Sequence, residues 1–220
     1  MKNLIFCILL ITSTSHIGAI KSDNTEADNR HLFERYLLIF KEQTLPLKMD
    51  RKAVFDMMNH SDSLSVIGDS LKIFVPEELI KNHPDSKFRS LYVLPKYDNV
   101  VLVLIFQEYI SKYDQRVFRN YLVSHDKNGE IIDYQELAGV IIDAREAFFV
   151  ISSKYKIERK SYQCKLNMDK ENSKFSRLVE TTQNFELNSD GTIEEINSFK
   201  QEGYFKGDWS GYKFIKPINN

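Results

Sequence analysis

The longest unbroken apolar run after the first twenty residues is VVLVLIF, from Val100 to Phe106. Four of its seven residues are β-branched, and such side chains fit a pleated strand but lose rotamer freedom in a helix. A run that is apolar at every position indicates a strand covered on both faces. A buried helix segment is the alternative, but the run is short for a helix and Asp98-Asn99 before it is typical of a turn. We therefore predict a central strand here.

Two segments that follow this run are predicted to form a β-hairpin. They are Arg116–His125 and Glu130–Glu136, with Asn128-Gly129 at the turn between them. Asn-Gly is typical of a type I′ turn, which needs positive φ at both central residues. The sequence therefore predicts a tight antiparallel pair with a type I′ turn.

The rest of the C-terminal two thirds also has strand character. Further strands are predicted at Phe88–Leu94, Val100–Tyr109, Glu146–Ser152, Lys154–Leu166, Phe175–Leu187 and Thr192–Phe199. Because these segments follow one another without helices between them, we expect an antiparallel meander. The Gly- and aromatic-rich segment Gly203–Tyr212 is predicted to close the sheet.

An amphipathic helix is predicted to begin at Asp28, and Pro46 is expected to stop it. Its apolar residues form one stripe of a 3.6-residue period. They are Leu32, Phe33, Tyr36, Leu37 and Phe40. We expect the stripe to pack on the sheet, and a partner-binding face is the alternative.

Shorter elements are predicted between this helix and the sheet. Arg51–Asn59 has the pattern of a second helix, and a third is expected to begin at Pro76, because proline suits the first helical turn. Leu64–Ile67 and Leu71–Val75 are predicted to be short strands. The fold class predicted from these patterns is α+β, with N-terminal helices packed on a meandering antiparallel β-sheet.

The first nineteen residues have the layout of a secretory signal peptide. Lys2 is followed by the apolar stretch Leu4–Ile11 and then by small and polar residues up to Ala19, after which we expect cleavage. Eight apolar residues are far fewer than the ~20 that span a bilayer as a helix, so an uncleaved anchor is the weaker alternative. The sequence predicts an exported protein of the periplasm, the outer envelope or the medium, which is not an integral membrane protein after cleavage.

The organisation predicted for the remaining chain is simple. Residues 20–30 are polar and are expected to be flexible, and residues 31–220 are expected to form a single α+β domain. That domain should be helical over 31–60 and mostly β over 64–215. A hydrophobic content of 42% in 220 residues is enough for one good core.

Composition excludes one class of partner and simplifies the cysteine chemistry. Charged residues are 28% of the chain, their signs balance to a net −1, and no cluster of Lys and Arg occurs, which argues against nucleic acid. Loss of Cys7 with the signal peptide would leave Cys164 unable to form an internal disulfide. We expect Cys164 to be a buried, inert thiol on the apolar side of a strand.

No pattern in the sequence predicts a catalytic, cofactor-binding or metal-binding residue. The histidines are widely separated, and neither HExxH, CxxC, nor a nucleophile or phosphate-loop motif occurs. The two turns that end in Gly129 and Gly191 lack the terminal glutamate of a calcium loop. Scattered carboxylates such as Asp126 and Glu146 could still converge in the fold, so a hydrolase stays open as an alternative.

Aromatic residues are plentiful, with 15 Phe, 11 Tyr and one Trp. Packing within the sheet is the ordinary role of such residues, and a ligand groove is the functional alternative. The candidate ligand surface consists of Tyr92, Tyr97, Tyr121, Tyr134, Trp209 and Tyr212.

Several of these features occur together in a recognisable order. The signal peptide is followed by FERYLLIFKEQTLPL, the strand VVLVLIF and NYLVSHDKNGEIIDYQELAG. This order resembles a loose group of uncharacterised exported proteins of Bacteroidetes, in which a helix ending in a Leu-Pro clip precedes strands with an Asp-x-x-Gly hairpin. The resemblance covers residues 30–200 and implies an envelope or secreted location, without an activity or site residues.

The function predicted from the sequence is that of an exported, non-catalytic binding protein or cell-envelope-associated protein. An envelope protein or a glycan is the expected partner, and no cofactor is expected. The alternatives are a hydrolase of envelope or extracellular polymers and an inhibitor or immunity-type protein. The last would present an exposed apolar patch of several hundred Å².

Overall fold

One large β-sheet dominates the computed structural model, which describes residues 28–141, 145–164 and 176–218. The predicted signal peptide and most of the predicted polar segment lie outside the described residues. The strands are β1 Lys41–Glu42, β2 Leu47–Met49, β3 Lys87–Val93, β4 Val101–Ile110, β5 Arg116–His125, β6 Ile131–Ile141, β7 Arg145–Ile151, β8 Lys156–Cys164, β9 Ser176–Leu187, β10 Ile193–Asp208 and β11 Gly211–Pro217.

The strand order follows the chain from β3 to β11, so each strand pairs with the next one. These pairs are antiparallel, as the meander prediction requires. The short β1 adds to β3 in parallel, and β2 pairs with β7 off the main path. The α+β class therefore holds in its coarser form, a large and mostly antiparallel sheet with a few short helices.

The helices precede the third strand. Helix α1 covers residues 28–37, α2 is Arg51–Asn59 and α3 is Glu77–Asn82. Asp50 caps α2, because its side chain accepts a hydrogen bond of 3.1 Å from the backbone N–H of Ala53. The sequence predicted α2 with these bounds.

The two short strands predicted before α3 are wrong. Leu71–Val75 falls largely within a 3₁₀-helix, Asp69–Phe74, and Leu64–Ile67 contributes a single bridge, from Val66 to Arg89. Phe74 faces inward here, where its ring lies 5.1 Å from that of Phe33. A short apolar run is ambiguous between strand and helix, and packing against α1 decides it.

Strand β4 is buried on both faces, as predicted for VVLVLIF. Leu102, Leu104 and Phe106 join the larger apolar cluster, which lies between the two halves of the sheet. Val103 and Ile105 point the other way into a second cluster, with residues of α1 and of the 3₁₀-helix. Alternate residues of a strand face opposite sides, so one run supplies both cores.

The sheet folds back over itself, so its two halves meet. Ser124 Oγ on β5 donates a hydrogen bond of 2.7 Å to the carbonyl of Gly191, in the turn before β10. The backbone N–H of Ile193 donates to Asp133 Oδ2 on β6 at 2.8 Å. These bonds join the middle of the sheet to its far end, and the larger apolar cluster fills the space between.

Four hairpin turns share one geometry, which differs from the predicted type I′. In each turn, the backbone N–H of the first residue donates to the carbonyl of the fifth residue. The backbone N–H of the fourth residue donates to the carbonyl of the first. Only the fourth residue has positive φ; at the Asn128-Gly129 turn this is Gly129. This pattern is a type I turn followed by one left-handed residue. The turns begin at Ser111, Asp126, Ser152 and Asn188.

Two further expectations need correction. Cys164 is exposed at the end of β8, because the apolar side of that strand ends at Tyr162, which is buried. Strand β10 continues to Asp208, well beyond the predicted end at Phe199, and β11 pairs with its last residues.

None of the helices among the described residues is long and apolar enough to cross a membrane.

Candidate functional site

The aromatic cleft is a depression of about 340 Å³ bordered by β7 and β8, where Phe148 and Tyr162 of the larger apolar cluster are 7% and 5% exposed. Five strands contribute to it, β2, β7, β8, β10 and β11, so residues far apart in the sequence meet there. Its aromatic residues are Phe148, Phe149, Tyr162 and Tyr212, and its charged residues are Lys48, Asp50, Glu158, Lys160, Asp208 and Lys213. Pockets of this size accept small organic ligands.

Strand pairing positions the wall of the cleft. Phe148 lies opposite Lys160, and Tyr162 is two residues further along β8, so all three side chains share one face. The ring centroids of Phe148 and Tyr162 are 6.0 Å apart, and those of Tyr162 and Tyr212 are 4.6 Å apart. Tyr212 reaches this position because β11 turns back immediately before it, at Gly211 with φ of 136°.

An ion pair behind Tyr212 fixes the floor of the cleft to α2. Arg51 donates to both carboxylate oxygens of Glu146, at 2.8 and 3.0 Å. Its guanidinium also lies 5.1 Å from the centre of the Tyr212 ring and 5.5 Å from that of Phe55. Burial, with the nearby Glu146 carboxylate, raises the pKa of Tyr212 to about 12. The tyrosine is therefore a neutral phenol at physiological pH.

The rim of the cleft carries balanced charge. Lys48 lies 3.2 Å from Asp50, and Lys160 lies 3.5 Å from Glu158. Lys213 has no ion-pair partner among the described residues.

Asp208 is engaged in the turn that leads to β11. Its Oδ1 accepts hydrogen bonds from the backbone N–H and the hydroxyl of Ser210, at 2.7 and 2.6 Å. These bonds lower the pKa of Asp208. Donors and acceptors thus surround an apolar floor.

The structure brings together two of the six predicted aromatic residues. Tyr212 lines the cleft, and Trp209 sits in the adjoining turn, 67% exposed, with its ring edge-on to Phe55 at 6.4 Å. Their common origin, the segment Gly203–Tyr212, was the only sequence signal for this location.

The other four predicted residues lie elsewhere. Tyr92 packs partly buried against the larger core, and Tyr97 contacts Tyr155 with ring centroids 4.7 Å apart. Tyr121 is buried, and Tyr134 lies beside it and donates a hydrogen bond to Glu78. These four tyrosines do not meet Trp209 and Tyr212 in one groove.

Sequence reasoning missed Phe148, Tyr162 and the three lysines of the cleft. Phe148 and Tyr162 were visible as apolar strand residues, but nothing in the sequence shows which face of a strand another part of the chain covers.

The two carboxylates considered for a hydrolase both have partners. Asp126 Oδ1 accepts hydrogen bonds of 2.8 Å from the backbone N–H groups of Asn128 and Glu130. Glu146 is held by Arg51. Within the described ranges, no group of three His, Cys, Asp or Glu side chains has the spacing of a metal site.

A second depression, of about 520 Å³, lies where the loop after α3 meets the end of β4. His83 stacks on Tyr109 there, with ring centroids 3.7 Å apart, and burial lowers the pKa of His83. This space is larger, but it is formed by the loop between α3 and β3, with the residues at its two ends, and by the end of β4. Of these two depressions, the aromatic cleft is the one on which residues of five strands converge, so we place the candidate site there.

No protein-family model, curated protein or solved structure matches this chain. The function has to be inferred from the chemistry of the cleft.

Proposed function

We propose that this protein is an exported, non-catalytic binding protein that holds a short saccharide in the aromatic cleft. The observation that carries the proposal is the convergence of Phe148, Tyr162 and Tyr212 beneath a rim of charged groups. A sugar ring has apolar C–H faces and a polar edge of hydroxyls. An apolar floor with donors and acceptors around it is complementary to both.

The charge balance of the rim favours a neutral or weakly acidic saccharide. Two of the three lysines have carboxylate partners, so only Lys213 offers an uncompensated positive charge to a ligand. A polyanion would need a cluster of such charges.

The engagement of the carboxylates favours binding over hydrolysis. Hydrolysis of a glycosidic bond uses two carboxyl groups that flank the bond, one of them free to give a proton. Asp50 caps α2, Asp208 caps a turn and Glu158 pairs with Lys160. Each therefore already has a structural role.

The proposal includes two further elements that the sequence predicted. One is export by way of the signal peptide, which would place the cleft where envelope saccharides occur. The other is packing of the N-terminal helices on the sheet. The contact between the rings of Phe33 on α1 and His125 on β5, 5.2 Å between centroids, supports it.

Trp209 provides a direct test, because it is the single tryptophan of the sequence and adjoins the cleft. Titration with a panel of N-acetylhexosamine- and uronic-acid-containing oligosaccharides should change its fluorescence in a saturable way for at least one of them. Tyr212→Ala should weaken that binding by at least about tenfold, since it removes one aromatic wall.

The control is Tyr113→Ala, which removes an exposed tyrosine far from the cleft, in the turn between β4 and β5. It should leave the affinity unchanged. A panel without any saturable change, confirmed by calorimetry, would contradict the saccharide proposal, and so would equal effects of the two substitutions.

A further inference from the structure

Among the described residues, the outer edge of β10 is open over residues 194–202, whereas the backbone N–H of Ile193 already donates to Asp133 of β6. On one side, β9 pairs with β10 from Ile193 to Phe205. On the other side, β11 pairs with β10 only from Gly203 to Asp208. No other described strand pairs with the earlier half. Ile196 and Phe199 lie on this half and are 52% and 61% exposed. An exposed, partly apolar edge strand is a template for pairing with another strand.

We propose that this edge pairs with the same edge of a second copy of the chain, antiparallel, across a two-fold axis at Ser198. Such an arrangement is isologous, so each pair of residues that meets away from the axis occurs twice in the dimer. The proposal is independent of the saccharide site, because it uses a different part of β10.

A bulge in β10 sets the register. Glu195 lies opposite Phe185 of β9 and Asn197 lies opposite Asn184, so Ile196 has no partner on β9. Ser198 lies opposite Gln183 and Lys200 lies opposite Thr181. Measured along β9, Glu195 and Lys200 are therefore each two positions from Ser198. A two-fold axis at Ser198 places Glu195 of one copy opposite Lys200 of the other.

The side chains in this register are complementary. Glu195 and Lys200 point to the same face of the sheet, so the dimer would contain two Glu–Lys pairs, one on each side of the axis. Lys200 has no ion-pair partner among the described residues. Glu195 accepts a hydrogen bond of 2.8 Å from Gln183 Nε2 and also interacts electrostatically with Arg159. Opposite charges directly across two strands stabilise the pairing, and like charges oppose it.

The opposite face contributes apolar area. Phe199 would lie opposite Asn197 of the second copy, with the two Phe199 rings in diagonal positions about the axis. Diagonal neighbours on antiparallel strands are within reach of aromatic side chains. Phe199, which is 61% exposed, would thereby lose contact with water.

A neighbouring register is disfavoured by charge. Moving the axis one residue along, to Phe199, would place Glu202 of one copy opposite Glu195 of the other and leave Lys200 opposite Ser198. The sequence of the edge thus selects the axis at Ser198, and it selects a second copy as the occupant because both halves of the complementary pattern lie on one strand.

A charge-exchange experiment tests the proposal. The protein purified as the cell makes it should dimerise in sedimentation equilibrium at concentrations up to about 100 µM. Glu195→Lys alone and Lys200→Glu alone should each weaken dimerisation at least about tenfold, because each creates two like-charge pairs. An equimolar mixture of the two variants should dimerise again, because it restores two attractive pairs.

The expected pattern fails if the protein is monomeric throughout this range, or if the mixture is no more dimeric than each variant alone. Both residues are exposed, so circular dichroism should show that the variants keep the fold.

Cross-linking provides a second, independent readout. In a Cys164→Ser background, Ser198→Cys should form an intermolecular disulfide on mild oxidation, because opposite residues on antiparallel strands lie within disulfide reach. The control is Ser153→Cys, an exposed residue in the turn between β7 and β8. Equal cross-linking of the two variants would overturn the proposed register.

Discussion

His125 is a buried titratable side chain surrounded mainly by aromatic rings. It lies on β5, is 0% exposed, and contacts the rings of Phe33 and Tyr36 at centroid distances of 5.2 and 5.9 Å. Its Nε2 is hydrogen-bonded to the Phe74 carbonyl at 2.9 Å and therefore carries the proton, while Nδ1 has no partner. Burial lowers its pKa to about 4. The folded protein therefore holds a neutral imidazole well below neutral pH.

The position of His125 predicts a loss of stability in mild acid. Between about pH 6.5 and pH 4 the unfolded state binds a proton that the folded state does not, so the free energy of unfolding falls as pH falls. His125 alone should lower the free energy of unfolding by up to about 3 kcal/mol at pH 4, relative to neutral pH. Urea denaturation at pH 7, 6 and 5 measures it. His125→Gln should flatten this pH dependence, and His31→Gln, on the exposed surface of α1, should not.

Gly129 occupies a position that a side chain cannot share. Its φ is +92°, and a Cβ there would lie 2.6 Å from the ring of Phe33 and 2.7 Å from that of Phe74. Gly129→Ala should therefore lower the free energy of unfolding by about 2 kcal/mol or more, through backbone strain and displacement of buried rings.

Gly68 is the matched control for Gly129, because it lies in open space and has φ in the ordinary range. Gly68→Ala should change stability by less than about 1 kcal/mol in either direction. Equal losses for the two variants in urea denaturation would show that the contact with α1 is unimportant.

At the level of elements, the apolar pattern and the turn residues were sufficient for β3 to β9. The run VVLVLIF, buried on both faces, and the Asn-Gly and Asp-Gly turns gave the strand bounds to within two residues, except that β6 continues to Ile141, five residues beyond the predicted end at Glu136. The turn type was wrong because Asp126 accepts two backbone N–H groups and holds a type I turn, which leaves only Gly129 with positive φ. Side-chain acceptors at the first turn residue change the geometry that the central pair would favour alone.

The end of β10 and the cleft were beyond what local patterns can show. The segment GYFKGDW is rich in glycine, which disfavours strands, yet β11 stabilises it by pairing. The cleft needs β2, β8 and β11 to meet on one face, and that depends on the course of the whole sheet.

The ion pair between Arg51 and Glu146 links α2 to β7. Both side chains are partly buried, 25% and 17% exposed, and share two hydrogen bonds. Arg51→Met should lower the free energy of unfolding by about 1–3 kcal/mol, because it leaves a partly buried carboxylate unpaired. In the double variant with Glu146→Gln, the loss in the free energy of unfolding should be smaller than the sum of the two single losses. Thermal or urea denaturation of the four proteins measures this double-mutant cycle, and additive losses would show that the pair is not coupled.

Over the whole molecule, Glu136 links four consecutive strands of the folded sheet, β5 to β8. It lies on β6 and contacts Arg119 of β5 at 3.1 Å, Arg159 of β8 at 3.0 Å and Arg145 of β7 at 3.9 Å. Arg159 is only 5% exposed, and burial lowers its pKa below the ordinary value for arginine. One carboxylate therefore compensates guanidinium groups on strands that the sequence separates by 40 residues, from Arg119 to Arg159.

Removal of this carboxylate should affect the entire fold. Glu136→Gln keeps the shape of the side chain but leaves the buried Arg159 guanidinium without its counter-charge, which should lower the free energy of unfolding by about 3 kcal/mol. The control is Glu77→Gln, which breaks an exposed i,i+4 pair with Lys81 and should cost less than about 0.5 kcal/mol. Trp209 reports on the far end of the sheet. Within each variant, its fluorescence and the far-UV circular dichroism should therefore lose their folded signals at the same urea concentration, although that concentration differs between the variants. A small loss for Glu136→Gln would mean that the apolar cluster alone holds these strands together. A Trp209 transition that separates from the circular dichroism transition would mean that the sheet does not unfold as one unit.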